Sequence, residues 1–109
     1  ALRCARVVAL PPRRPRVVAV GLDETAPARP VAALQETVSA GLAAAGVHAP
    51  ERRAFLAHVT VARALRGTRG LPPSLAPPEC AFGAPAVTLF ASRPGAGGST
   101  YVPFASVPL

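Results

Sequence analysis

The sequence contains no Met, Lys, Ile, Asn or Trp. The codons of Met, Lys, Ile and Asn are AT-rich, so this usage points to a GC-rich genome. Much of the Ala, Arg and Pro enrichment then reflects codon bias. With Lys absent, the choice of Arg cannot be credited to its bidentate fork. A chain that opens on Ala1-Leu2-Arg3-Cys4, strand-like and without Met, reads as a portion of a longer protein. Long apolar runs are also missing: each is broken by Arg or Pro, so no segment suits a membrane span. Arg3 and Arg6 stand where a signal peptide would need apolar residues. Cysteine is scarce. Cys4 and Cys80 fit neither a metal spacing nor a CxxC motif. Without a secretory signal they are expected to be free thiols in a reducing cytoplasm, and nothing in the sequence supports a disulfide between them.

Acids number five against twelve Arg, and none forms a paired-carboxylate motif. Asp23 and Glu24 read as turn residues, Glu36 as helical, and Glu51 and Glu79 as loop residues. Ser39, Ser74 and Ser99 lack a nucleophile-elbow context. Gly95, Gly97 and Gly98 fall between two strands with no helix following, which excludes a phosphate-cradling loop. Aromatic residues make up 5% of the chain, too few for a base-stacking platform.

What remains is 109 residues, half of them apolar, with a net charge of +7. The length suits one domain, or part of one, spanning residues 1–109. The charge favours a polyanionic partner, such as nucleic acid or a phosphorylated ligand. Codon bias is the plain alternative.

Leu2, Cys4, Val8 and Leu10 keep a loose period of two, which predicts a strand over residues 2–9. Pro11-Pro12-Arg13-Arg14-Pro15 breaks it. The run 16–21 (RVVAVG) has the β-branched character of an interior strand and can pair with the first. Pro30 then opens a helix expected over 29–45, with Val31, Leu34, Val38 and Leu42 as one apolar stripe and Gly46 as its stop. Residues 55–63 (FLAHVTVAR) alternate. Phe55, Ala57, Val59 and Val61 form a face fit for a core, and His58 and Thr60 lie on the other. Residues 64–83 read as a long Pro/Gly-rich loop, with room for a helical turn around Ser74–Ala76. Strands are expected over 85–92 and 100–107, joined by a glycine-rich hairpin, with Pro103 placing the last at an edge. The order β-β-α-β-loop-β-β describes an α+β fold, an antiparallel sheet with one main packed helix.

His58-Val59-Thr60 is the best chemical candidate. On a strand, residues i and i+2 project from one face about 6–7 Å apart, so an imidazole and a hydroxyl point the same way into one cleft. The imidazole can exchange a proton with a phosphate oxygen, and the hydroxyl can donate to another. A solvent-facing His beside a β-favouring Thr is the plain alternative. Arg63 has the opposite parity and joins this face only if the strand ends or bulges near Ala62. Arg66 and Arg69 read as loop charges, and His48 as an exposed loop residue. Phe55 and Phe90 are expected in the core, and Tyr101 in the sheet.

The segment Phe55–Arg63 resembles the second F-x-P-H-x-T-[LV]-x-R motif of the 2H phosphoesterases, in particular the RNA 2',3'-cyclic phosphodiesterases once named 2'-5' RNA ligases. Ala57 stands where that family usually has Pro. Residues 13–21 look like the strand before the family's helix, 31–46 like the helix, and 87–109 like its closing hairpin. The resemblance implies a two-lobed fold in which each lobe supplies one H-x-[ST]-x motif, with no metal or other cofactor. It implies that His58 is one of two catalytic imidazoles, that Thr60 holds the phosphate, and that Arg63 contacts the substrate. The implied substrate is RNA or a nucleotide ending in a 2',3'-cyclic phosphate, and the implied product a 2'-phosphate. Only one such motif is present, so the first, and the lobe carrying it, are expected upstream of Ala1. A non-catalytic module that grips RNA or nucleotide phosphate is the competing reading.

Overall fold

A computed structural model describes residues 1–26, 29–71 and 75–109. Ser74, on which part of the expected helical turn falls, lies outside them. The elements run β1 (Leu2–Leu10), β2 (Val17–Glu24), α1 (Pro30–Ala44), β3 (His58–Arg63), β4 (Ala81–Phe82), β5 (Ala86–Arg93) and β6 (Thr100–Pro108). The described residues form a mixed α+β chain of antiparallel strands with one helix. The strands form two sheets where one was expected: a four-stranded sheet in the order β3-β2-β1-β4 and a separate β5–β6 hairpin.

β2 is central, as its β-branched run predicts. It extends past Gly21 because Asp23 pairs with Arg3 and Glu24 with Leu2, so both acids are strand residues and not turn residues. The 64–83 loop is likewise shortened at its end, where Leu2 and Arg3 recruit Phe82 and Ala81 as an edge strand. The ladder of β3 begins at His58. Before it, one backbone bond continues the pairing, from Leu22 N–H to Ala57 O at 2.8 Å. Phe55 and Leu56 precede the strand.

α1 follows the stripe and the stop signals. Pro30 opens it, and Gly46 follows it at φ 75°. The residue before it, Arg29, adopts a left-handed conformation and caps nothing with its side chain. The capping group comes from β2 instead. The Glu24 carboxylate accepts from Val31 N–H at 2.5 Å and from Ala32 N–H at 3.1 Å. Its side chain is 5% exposed, with the Arg29 guanidinium 4.0 Å away. Two of the amides that a helix start leaves unpaired are thereby satisfied. α1 is thus fixed on the sheet face that carries Leu2, Val20 and Glu24.

Behind the sheet the packing is loose. Among the described residues only Leu2, Pro15, Ala19, Val20 and Gly21 are buried. No residue of α1 is buried, so the expected packed helix lies only lightly on the sheet; Val38 and Leu42 of its stripe are exposed. Phe55, Val59, Val61 and Phe90, expected in the core, are exposed too. An apolar cavity of about 600 Å³ opens between Leu2, Val31, Leu34, Gly83 and Leu109. The accessible surface is 8641 Å², against roughly 5,600 Å² for a folded monomer of this mass. The radius of gyration is 15.6 Å, against about 13 Å for a compact chain of this length. The β5–β6 hairpin leaves Leu89, Phe90, Tyr101, Phe104 and Val107 open to solvent. Pro103 sits opposite Phe90 in this two-stranded ladder, where each strand is an edge, and Phe104 takes the bulge position beside it.

Glu24→Ala is expected to cost about 2 kcal/mol, since it strips two amides of a charged acceptor. Chemical denaturation followed by circular dichroism measures it, with the exposed Glu36→Ala as a control expected to change stability by less than about 0.5 kcal/mol.

Candidate functional site

Directly opposed residues of antiparallel strands share a face, so the register of the sheet sorts its side chains. His58 lies opposite Gly21, Thr60 opposite Ala19 and Arg63 opposite Val17. Gly21, Ala19 and Val17 alternate along β2 and point the same way. His58, Thr60 and Arg63 therefore project from one face. Regular alternation would turn Arg63 to the other side. The register shifts between Val18 and Ala19, so Thr60 and Ala62 oppose adjacent residues of β2 and Val61 is the extra residue of a β-bulge. The condition that the sequence placed on Arg63 is met.

His58 is oriented by its own backbone. Its Nδ1 lies 2.7 Å from Leu56 O. A carbonyl only accepts, so Nδ1 carries the proton in that bond. Nε2 is then the nitrogen left for solvent or a ligand. Among the described residues the Thr60 hydroxyl has no hydrogen-bond partner, and His58, Thr60 and Arg63 are all exposed. They stand on an open sheet face rather than in the expected cleft. The large apolar cavity lies behind the sheet, away from them.

The same register adds a residue that the sequence reading passed over. Arg6 of β1 lies opposite Gly21, in line with His58 across three strands. A second bulge, at Ala5, separates it from the Cys4–Leu22 pair. Its side chain lies across Gly21: a Cβ there would stand 3.2 Å from Arg6 Cγ and 3.4 Å from Cζ and Nε. Asp23 Oδ1 holds the guanidinium at 3.4 Å. That pair is half-exposed and contributes little to stability, but it turns the guanidinium along the face that carries His58. The available signal was Gly21, a glycine inside an otherwise β-branched strand, which marks the close approach of another group.

Further positive charge collects at one end of the sheet. Ala64 N–H donates to Arg16 O at 2.9 Å, which brings the β1–β2 loop beside the segment leaving β3. Arg13, Arg14 and Arg16 come from one, Arg63, Arg66 and Arg69 from the other, and all six are exposed. Among the described residues, ion pairs involve only Arg6 and Arg29. His48 lies elsewhere, along the groove between α1 and Val87 of β5.

Among the described residues no three His, Cys, Asp or Glu side chains stand together as a metal site, and no helix is long and apolar enough to cross a membrane. No family model, curated protein or solved structure matches the chain.

In its neutral form His58 is expected to be the Nδ1–H tautomer. Two-bond proton–nitrogen correlation spectra of the labelled imidazole test this; an Nε2–H pattern would contradict the hydrogen bond to Leu56.

Proposed function

We propose that the chain is one lobe, with the closing hairpin, of an RNA 2',3'-cyclic phosphodiesterase of the 2H phosphoesterase type. The observation that carries this reading is the shared face of His58, Thr60, Arg63 and Arg6. An imidazole with a free Nε2, a hydroxyl donor and two guanidinium groups are the parts needed to hold and turn over a phosphodiester. The Thr60 hydroxyl donates to a non-bridging oxygen. Arg63 and Arg6 neutralise phosphate charge that grows as water adds to phosphorus. The phosphorus–3'-oxygen bond breaks, the 3'-oxygen takes a proton, and a 2'-phosphate remains. His58 Nε2 is one of the two proton-transfer groups, either removing the proton from water or supplying it to the leaving oxygen.

One imidazole cannot be base and acid in the same step. A second is required, on a lobe that faces this open sheet. The exposed hairpin and the large accessible surface fit a chain that covers its apolar residues against more protein. The 109-residue chain alone is therefore expected to be inactive or nearly so.

A phosphate-binding module without catalysis is the second reading, favoured by the single imidazole on this face. His58→Ala in the full-length protein separates the two. Catalysis predicts a loss of about 10²–10⁴-fold in kcat on RNA ending in a 2',3'-cyclic phosphate, with binding largely kept. An unchanged rate would leave only the binding module.

Arg6→Ala and Arg63→Ala are each expected to weaken RNA binding and to lower the slope of log affinity against log salt by about 1. Titrations of labelled RNA at several salt concentrations read this directly. A slope unaltered in both variants would remove the arginines from the phosphate site.

A further inference from the structure

Cys4 and Cys80 lie far apart in sequence and meet across two strands. The β1–β4 register pairs Leu2 with Phe82 and Arg3 with Ala81. One step further Cys4 opposes Cys80, and Cys4 N–H donates to Cys80 O at 3.0 Å. Opposed residues at a hydrogen-bonded antiparallel position have Cα atoms about 5.5 Å apart. That falls inside the window of roughly 4.4–6.8 Å that a disulfide requires. Ala5, the extra residue of the β1 bulge, adjoins Cys4 and gives the backbone slack for the remaining adjustment. Cys80 is exposed, Cys4 is half-buried, and both thiols are free. They line an open groove of about 530 Å³ with Arg3, Asp23, Pro77 and Pro78.

We propose that Cys4 and Cys80 form an oxidation site, a dithiol that a low-molecular-weight disulfide such as oxidised glutathione converts reversibly into an intramolecular disulfide. Cys80 reacts first, being the exposed thiol. Burial, and then the neighbouring Cys80, push the Cys4 thiol up from its ordinary value, which makes it the poorer first nucleophile. The Cys80 thiolate attacks one sulfur of the glutathione disulfide, forms a mixed disulfide and expels one glutathione thiolate, which takes up a proton. Cys4 then gives up its proton and attacks the Cys80 sulfur. The Cys4–Cys80 bond forms and the second glutathione leaves. Two protein thiols are oxidised and one glutathione disulfide is reduced to two thiols. The product adds a covalent tie at the end of the two-residue ladder of β4. The segment leaving Arg63 is then anchored beside Arg3 at its far end.

The test equilibrates the 109-residue chain with a series of reduced and oxidised glutathione mixtures, quenches with acid, alkylates and maps peptides by mass spectrometry. The expected result is one transition from two alkylated thiols to a Cys4–Cys80 linked peptide. In urea the glutathione ratio needed for the link should rise at least about tenfold, because the fold no longer holds the thiols together. Cys4→Ser and Cys80→Ser should each stop at a single glutathione adduct. Independent glutathione adducts on both cysteines of the folded wild type would overturn the proposal. So would links only between chains, or a transition unmoved by urea.

Discussion

Glu24 leaves the end of β2 and sets its carboxylate beneath the first turn of α1, where it accepts from Val31 and Ala32. The helix has few other attachments. Its first residue is Pro30, Arg29 brings no capping side chain, and none of its residues is buried. A carboxylate supplied by the sheet therefore decides where α1 sits. With the helix held over Leu2 and Val20, the two faces of the sheet become unequal. One is roofed, loosely and with a large apolar void. The other is left to His58, Thr60 and the arginines.

The open face is built by contrast in side-chain size. Ala19 and Gly21 form its floor and are buried although no helix covers them. Larger neighbours on β1 and β3 overhang them, so the small residues create a shallow trough across the middle strand. The Arg6 guanidinium lies in that trough, which lets a β1 residue approach β3 chemistry that would otherwise be two strands away. Exposed arginines at the sheet end act on an approaching anion through water, over roughly 8 Å at physiological salt. Arg3, opposite Asp23, Arg6 and Arg63 project from the face itself.

The helix and the five longer strands were legible in the sequence because periodicity and Pro/Gly punctuation are local signals. Tertiary pairing was not. Asp23 and Glu24 look like turn residues until Arg3 and Leu2 extend the ladder opposite them. The two-residue β4 carries no periodicity at all. Val59 and Val61 have the pattern of a core face, yet a pattern shows only which side chains could be covered, not whether a covering element is present. At the site, His58 and Thr60 could be paired from strand spacing alone. Arg63 needed a bulge that no residue type announces, and Arg6 needed the register of a neighbouring strand.

Val61 shows how the spacing of this site is counted. As the extra residue of the bulge it faces no partner on β2, so its role is arithmetic more than chemical. Many side chains could stand there, because the position makes no contact across the ladder. Its removal would be just as mild at the site: the ladder would close up with Thr60 still opposite Ala19, Ala62 opposite Val18 and Arg63 opposite Val17. The damaging change is the opposite one, in which Val61 stays and the bulge is flattened; Ala62 would then face Val17 and Arg63 would turn to the other side of the sheet. Chains that share this face should differ freely at the bulge residue, and in whether they have it, with the histidine and the arginine five positions apart when it is present and four when it is not.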